Sequence, residues 1–207
     1  MRLRQPIVAV HGGAGSFRKS WDEERMRKYV KGLEEAVIAS FEVIRSGSAL
    51  DAVIEAVKYM EDNPIFNAGY GSALTIAGTV EMDAGLMDGK SLRAGAVACV
   101  RKVKNPIVLA RKVLELTDHV LIVGEGAERF AKALGMLVSE DLILDDHLKR
   151  YEELLNLLKS GKALHHLKKV REFIEKFPNY LQYSTVGAVA LDKDGNVASA
   201  TSTGGIW

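Results

Sequence analysis

The stretch that decides the fold lies near the end of the chain and reads Thr185-Val-Gly-Ala-Val-Ala-Leu-Asp-Lys-Asp-Gly-Asn-Val-Ala-Ser-Ala-Thr-Ser-Thr-Gly-Gly205. Small and β-branched residues on both sides of a turn sequence are typical of a β-hairpin. If residues 193–195 form the loop, a type I turn closed by a left-handed glycine aligns Thr185 with Thr203 on one face of the sheet. A two-residue Asp-Gly loop would instead place Gly204 opposite Thr185.

The composition indicates a single globular domain. The chain has 207 residues, 47% hydrophobic and 27% charged, with a net charge of +1. This balance gives no electrostatic reason to expect nucleic acid or a membrane surface as a partner. The N-terminus has no signal-peptide pattern, and no apolar run is long enough to span a bilayer. With Cys99 as the single cysteine, a reducing, cytoplasmic setting is expected.

The remaining pattern predicts a mixed α/β protein. Residues 7–10 form a short apolar run, which predicts a strand buried on both faces. Ser48 and Asp51 form a capping box that opens a helix. Residues 79–83 and 95–100 are each predicted to form a strand. Cys99 lies between apolar neighbours in the second of these, so a buried thiol is expected. Helices come in pairs between groups of strands, which favours an α/β sandwich with outer helical layers over a doubly wound sheet.

Thr185 is the candidate nucleophile, although a threonine hydroxyl needs a nearby base. The sequence offers no evident Ser-His-Asp set. If the bond between Ser184 and Thr185 were cut, the new α-amino group, with a pKa of roughly 7.7–8.0, would be that base. The alternative interpretation is structural: threonine is a common β-former, and Thr201-Ser-Thr203 would then be an ordinary polar strand end.

Three further blocks extend this pattern: His11-Gly-Gly-Ala-Gly15, Asn63-Pro-Ile-Phe-Asn-Ala-Gly-Tyr-Gly71 and Glu81-Met-Asp-Ala-Gly-Leu-Met-Asp-Gly89. Together with the hairpin, they resemble the plant-type L-asparaginase/isoaspartyl peptidase family of N-terminal nucleophile hydrolases. The resemblance runs from about residue 6 to residue 205. It is more specific than any single glycine loop.

The resemblance implies a four-layer αββα sandwich formed by one domain, residues 1–207. Residues 1–184 would be the α-subunit part, with a basic helical linker at about 148–184, and residues 185–207 would begin the β subunit. That linker is otherwise a solvated charged helix pair or, less favoured, a nucleic-acid surface. Family β subunits continue further, so the chain is expected to lack part of its substrate site. The expected partners are the β-subunit remainder and a second copy.

The resemblance also implies the roles of individual residues. Thr185 would be nucleophile and base, with cleavage after Ser184, and Thr203 would hydrogen-bond the nucleophile. Asn67 would orient the site, its alternative being a turn asparagine with left-handed geometry. Two glycine pairs would line the binding site: Gly12, Gly13, Gly204 and Gly205.

No cofactor is expected for catalysis. The segment around residues 60–70 resembles a loop that holds a structural sodium ion through backbone carbonyls, the oxygen ligands that a hard cation prefers. The loop residues are Met60, Glu61, Phe66, Ala68 and Tyr70. The glycine block at 11–15 lacks the Lys-Ser/Thr ending of a phosphate-binding loop.

The implied function is autocatalytic processing followed by hydrolysis of L-asparagine, or of β-aspartyl (isoaspartyl) dipeptides, through an acyl-enzyme on Thr185. The sequence leaves the preference between these substrates open. One alternative is a non-catalytic, unprocessed fragment or assembly module. Another is a glycosylasparaginase-like hydrolase, which the missing signal peptide and the lone cysteine disfavour.

Overall fold

The computed structural model describes residues 5–13, 23–75, 77–138, 142–159 and 185–205. Six strands lie within these ranges: β1 (Ile7–His11), β2 (Met82–Asp88), β3 (Arg93–Val100), β4 (Leu121–Val123), β5 (Val186–Leu191) and β6 (Val197–Thr203). They also contain five α-helices and one 3-10 turn: α1 (Glu23–Ile44), α2 (Ala49–Asp62), the 3-10 turn (Gly69–Gly71), α3 (Pro106–Leu116), α4 (Gly124–Ala133) and α5 (Asp145–Lys159).

The strands form one sheet in the order β1-β5-β6-β2-β3-β4. Neighbouring strands are antiparallel, except that β3 and β4 are parallel and are connected through α3. The C-terminal hairpin therefore occupies the middle of the sheet, next to the strand that begins the chain. Residues far apart in sequence meet at one end of these central strands.

A layer of helices covers one face of the sheet. Helix α2 packs on β5 and β6, α3 packs on β2 and β3, and α1 packs on α2. Gly95 of β3 lets α3 approach closely, because a Cβ there would lie 2.7 Å from Leu114 Cβ. Phe66, Ile44 and Met60 are among the largest fully buried side chains of this core. Burying each stabilises the fold by about 1.5–3 kcal/mol before entropy costs.

The opposite face of the sheet is uncovered within the described residues. Residues of β5 and β6 alternate, so that Ala188 and Ala200 are buried under the helices while Val189 and Val197 are each 55% exposed. Met87 of β2 continues this apolar exposure at 43%. One sheet and one helical layer are thus present. They agree with the predicted α/β class, and they supply two of the four layers expected for the N-terminal nucleophile fold.

Two local signals in the sequence form as predicted. Ser48 caps α2, with its hydroxyl accepting from the Asp51 amide and the Asp51 carboxylate accepting from the Ser48 amide. The hairpin has the three-residue loop: Asp192 N donates to Asn196 O at 3.0 Å, and Gly195 has a φ of +88°. Asp192 also accepts from the Ala49 amide, which links the hairpin turn to the start of α2.

Three expectations about strands were wrong. Strand β1 is not buried on both faces: it lies at the sheet edge, and Ile7 is 60% exposed. Cys99 is exposed, because it lies at a β-bulge with a φ of +54° that turns its side chain away from the core. The strand predicted over residues 79–83 begins at Met82 and continues to Asp88.

The basic helical segment is described only in part. Helix α5 ends at Lys159, and residues 160–184 lie outside the described residues, as does most of the expected linker. The division at Ser184 therefore stays a prediction. None of the described helices is both long and apolar enough to cross a lipid bilayer.

Candidate active site

The site is built around the end of the hairpin where Thr185 and Thr203 lie side by side. Val186 pairs with Ser202 and Gly187 pairs with Thr201, so the next position in the same register joins Thr185 to Thr203. Both threonines are half-buried. Directly opposed residues of an antiparallel pair have Cβ atoms about 4.5–5.5 Å apart, which brings the two hydroxyls within reach of each other. The predicted register is confirmed.

The glycine block after β1 borders Thr185 on its other side. Continuing the pairing of His11 with Gly187 places Gly13 opposite Thr185. A Cβ at Gly13 would lie 3.3 Å from the Thr185 carbonyl oxygen, and Gly13 has a φ of +143°. Glycine therefore suits this position both because of the backbone conformation and because of the space. Gly12 is buried, and its carbonyl accepts a hydrogen bond from the Tyr29 hydroxyl.

Asn67 connects the 60–70 segment to the end of β6. Its side-chain Nδ2 donates to Gly205 O at 2.7 Å, and its Oδ1 accepts from the Ala73 amide at 2.9 Å. Its backbone carbonyl accepts from the Gly204 amide at 3.3 Å. Asn67 is not in the left-handed region, since the described non-glycine residues with positive φ are Leu92 and Cys99. Its side chain thus fixes the glycine pair that follows Thr203.

The space next to Gly204 is closed by Ser72. A Cβ at Gly204 would overlap the Ser72 side chain, so only glycine allows this approach. Thr203 is held from the same side, because Gly205 N donates to Thr203 Oγ1 at 3.2 Å. The structure therefore brings the predicted residues Thr203, Gly204, Gly205 and Asn67 together, beside Thr185 and the Gly12–Gly13 segment.

A buried carboxyl group lies beneath this end of β6. Glu61 is fully buried, and its Oε1 accepts from the Ile107 amide at the start of α3, at 3.0 Å. Burial raises the pKa of Glu61 to about 8. Ser202 is close enough to influence that pKa, yet Glu61 Oε2 and Ser202 Oγ make no hydrogen bond of normal geometry within the described part of the chain. A protonated Glu61 has an O–H to donate toward Ser202, the residue before Thr203.

The predicted cation loop folds tightly over two glycines. A Cβ at Gly69 would lie 2.5 Å from Glu61 O, and one at Gly71 would contact Phe66 O and lie 2.8 Å from Pro64 O. Met60 O and Ala68 O accept hydrogen bonds from Asn63 and Gly71 within the same turn. The Tyr70 side chain is 39% exposed.

The carbonyl oxygens of Pro64 and Phe66 both lie close to the Cβ position of Gly71. The described residues contain no cluster of three or more His, Cys, Asp or Glu side chains suited to a metal. A set made only of carbonyl oxygens fits a hard cation such as sodium and does not fit zinc or copper. Carbonyl oxygens are thus the kind of ligand that the expected structural ion would use.

Sequence reasoning missed two groups that shape the site. Tyr29 of α1 donates to Gly12 O and packs edge-on against Phe66, with ring centroids 4.9 Å apart. Asp83 of β2 pairs directly with Thr203. Neither contact has a local sequence signal, because each joins elements that are distant in the chain. Ser184, one half of the predicted cleavage site, lies outside the described residues.

The sheet with its central hairpin, the threonine pair and the flanking glycines are consistent with the class of N-terminal nucleophile hydrolases. The asparaginase family model (Asparaginase_2) matches residues 4–207, and this chain belongs to that family. A plant-type L-asparaginase of Thermococcus kodakarensis is 54% identical over 200 residues, covering 97% of this chain and 63% of the relative. An isoaspartyl peptidase of Salmonella typhimurium is 45% identical over 208 residues, covering 99% of this chain and 64% of the relative.

The family also extends to vertebrates. An isoaspartyl peptidase/L-asparaginase of Xenopus laevis is 43% identical over 205 residues, covering 98% of this chain and 60% of the relative. The chain thus spans less than two thirds of the length of these relatives. The predicted family membership is confirmed over almost the whole chain.

Proposed function

We propose that this chain carries the nucleophile of a threonine-dependent amidohydrolase that processes itself and then hydrolyses L-asparagine or β-aspartyl dipeptides. The observation that supports this proposal most is the register that sets Thr185 opposite Thr203 at the end of the central hairpin. Relatives of this chain are named L-asparaginase and isoaspartyl peptidase, and these names indicate the two substrate classes.

The first reaction is cleavage of the chain before Thr185. Thr185 Oγ attacks the Ser184 carbonyl carbon and its hydroxyl proton passes to the Thr185 nitrogen as the C–N bond breaks, so that the acyl group moves from nitrogen to oxygen. Water then hydrolyses this ester, leaving a carboxylate on Ser184 and a free amine on Thr185. Thr203 and the Gly13 backbone flank Thr185. They would hold it in the orientation that the attack requires.

The second reaction uses the freed amine as the base. The amine accepts the proton of Thr185 Oγ as the oxygen attacks the substrate's side-chain amide carbon. The adduct expels ammonia from asparagine, or the second amino acid through its nitrogen from a β-aspartyl dipeptide, and this leaving group takes the proton. Water hydrolyses the resulting aspartyl ester and releases aspartate. Neither reaction as written uses a cofactor.

Intact mass and N-terminal sequencing test the first reaction. The proposal predicts two fragments, the second beginning at Thr185, for this chain or for a longer chain that contains it. Thr185→Ala should abolish cleavage, and Thr185→Ser should retain part of it because serine keeps the hydroxyl. An uncut chain of either length would favour the alternative, a non-catalytic assembly module.

Product assays test the second reaction. L-asparagine should release ammonia, and β-aspartyl-leucine should release leucine, while a glycosylated asparagine should be inert. Turnover of the glycosylated substrate alone would favour the glycosylasparaginase alternative. No turnover by the processed, longer protein would contradict the proposed enzymatic function.

We also propose sodium as a structural ion of the 60–71 turn. The support is that the Pro64 and Phe66 carbonyl oxygens both lie close to the Cβ position of Gly71, while the Glu61 carbonyl oxygen lies beside Gly69. A cation there would hold the turn from which Asn67 reaches Gly205. Its contribution would be to keep the end of β6 in place, with no part in bond breaking.

Further proposals concern partners and location. The uncovered sheet face exposes apolar side chains such as Val189, Val197 and Met87. We propose that the β-subunit segment implied by the longer relatives covers this face and that two such units associate. Supplying the segment in trans should protect β5 and β6 amides from hydrogen exchange, and unchanged exchange would contradict this.

The cytoplasm is proposed as the compartment because Cys99 is the single cysteine.

A further inference from the structure

The carboxylate of Asp83 stands in the same row as the two threonines. Asp83 pairs with Thr203 across β2 and β6, and the β5–β6 register pairs Thr203 with Thr185. Met82 and Ser202, which precede Asp83 and Thr203 in their strands, are fully buried against the helical layer. Because successive side chains of a strand point to opposite faces, those of Asp83 and Thr203 point away from that layer. The row at this end of the sheet therefore runs Gly13, Thr185, Thr203, Asp83.

A β-bulge in the neighbouring strand lies directly beside Asp83. Met82 pairs with Val100 and Ala84 pairs with Val97, so Ala98 and Cys99 together oppose Asp83. Cys99 adopts a φ of +54°, which is unfavourable for a residue with a side chain. Such outliers persist where the surrounding structure fixes them, and bulges often redirect a side chain beside an active site.

The bulge gives the Asp83 carboxylate a fixed hydrogen-bond donor. Cys99 N donates to Asp83 Oδ1 at 2.8 Å. In regular pairing this amide would donate to the backbone of β2, whereas at the bulge it donates to the side chain of Asp83. The nearby Arg101 guanidinium pairs with another carboxylate, since it binds Glu81 Oε1 at 2.5 Å. Burial raises the pKa of the Cys99 thiol, and the charges of Asp83 and Glu81 raise it further.

The other aspartate of the same strand is different. Asp88 lies at the far end of β2, where its carboxylate accepts from the Lys90 and Ser91 amides of the following turn. These are ordinary turn contacts, and they involve no bulge. Asp88 therefore provides an internal comparison for Asp83: same residue type, same strand, opposite end.

We propose that Asp83 is a positioning residue for the nucleophile, whose carboxylate orients the Thr203 hydroxyl so that its oxygen faces Thr185. This inference rests on the proposed function. A carboxylate only accepts hydrogen bonds, whereas a hydroxyl has one proton and accepting lone pairs. Thr203 Oγ1 accepts from the Gly205 amide. When Thr203 donates its hydroxyl proton to Asp83, the lone pairs of its oxygen can accept a hydrogen bond from the Thr185 hydroxyl or from the freed Thr185 amine.

The test compares Asp83→Asn with Asp88→Asn. Asparagine keeps an oxygen for the Cys99 amide, so the bulge is retained, but it presents an NH₂ donor where the carboxylate presented an acceptor. In a longer chain that processes itself, Asp83→Asn should slow cleavage and lower kcat by about 10- to 100-fold, with KM unchanged. Asp88→Asn should match wild type, and the two variants should have similar Tm values.

Equal rates in Asp83→Asn and wild type would overturn the inference. A slower rate that is fully explained by a lower Tm of the variant would overturn it as well. A second measurement does not depend on activity. In the 207-residue chain, the Thr203 side-chain rotamer, read from NMR couplings to its labelled methyl group, should change in Asp83→Asn and not in Asp88→Asn. An unchanged rotamer overturns the inference even if the wild-type protein is inactive, whereas inactivity by itself contradicts only the proposed function.

Discussion

Thr185 lies opposite Thr203 because the hairpin between them closes with three residues, Lys193, Asp194 and Gly195. The Gly195 amide donates to Asp192 O, and the strands then pair without interruption from Leu191 with Val197 to Val186 with Ser202. A loop one residue shorter would have placed Gly204 opposite the nucleophile. The turn therefore determines which side chain faces Thr185.

The Thr203 hydroxyl should be required for both reactions. Thr203→Val keeps the shape of the side chain and removes the hydroxyl, so processing and kcat should fall by about 10²- to 10³-fold, the range for loss of one preorganised hydrogen-bonding group at an active site. Thr203→Ser should restore most of the rate, because it returns the hydroxyl. Cleavage kinetics followed by mass spectrometry check this, and a fast Thr203→Val variant would show that the pairing has no chemical role.

Substitutions of Asn67 should lower both the stability of the protein and the rate of processing. Asn67→Ala leaves the Ala73 amide and the Gly205 carbonyl without their side-chain partner, at a cost of about 1–3 kcal/mol in unfolding free energy. Asn67→Asp keeps the acceptor for Ala73 but loses the donor to Gly205. Urea unfolding should rank wild type above Asn67→Asp and Asn67→Ala last, while processing should be slow in both variants.

If Asn67→Asp processes at the wild-type rate, the Gly205 contact does not position the site, and Asn67 is important only for folding.

Because of Asp192, the free energy of unfolding should depend on pH in the acid range. Burial raises the pKa of Asp192, but hydrogen bonds from Asn196, Ala49 and Asp194 outweigh it and hold the pKa below its ordinary value. The carboxylate therefore stabilises the fold at all pH values above the unfolded pKa of about 3.9, and this contribution is lost as the pH falls through the lower, folded-state pKa. Asp192→Asn should cost about 1–3 kcal/mol at neutral pH.

The comparison is made by urea unfolding across pH. The gap between wild type and Asp192→Asn should be constant down to about pH 4 and should then shrink. Asp194→Asn, in the same loop but exposed, is the control and should show no such gap. A gap that is unchanged at the acid end would contradict the assigned charge effect.

Sodium should raise the melting temperature through the 60–71 turn. Binding stabilises the native state by RT ln(1 + [L]/Kd), which is about 1.4 kcal/mol at ten times Kd. Calorimetry in NaCl should therefore give a higher Tm than choline chloride of equal ionic strength. Gly71→Ala should remove the difference, because its Cβ would contact the Phe66 and Pro64 carbonyl oxygens. Equal Tm values in both salts for the wild type would refute the ion.

The parts of the fold that the sequence predicted are those with local causes. The Ser48–Asp51 cap and the Gly195 turn each need only a few adjacent residues, and both form as expected. The hairpin register follows from that turn, so the threonine pair was predictable. Family resemblance added Asn67 and the glycine pairs, whose contacts cross the chain.

The misses have long-range causes. Whether β1 is central or at an edge depends on the strand order, which no property of residues 7–10 reveals. Cys99 is exposed because of a bulge that forms between two strands, and Asp83 lies beside Thr203 because β2 pairs with β6. Glu61 looks like an ordinary helix surface residue in sequence, and only packing of α3 and β6 buries it.

The proposed function requires that Thr185 become the N-terminal residue of a new chain. The most direct measurement is N-terminal sequencing with intact mass after incubation of a longer protein that contains this chain, with Thr185→Ala run in parallel. The proposed mechanism predicts a fragment that begins with Thr185 in the wild type and a full-length chain in the variant. A wild-type protein that stays uncut yet hydrolyses asparagine, or a Thr185→Ala variant that still cleaves at this bond, would contradict it.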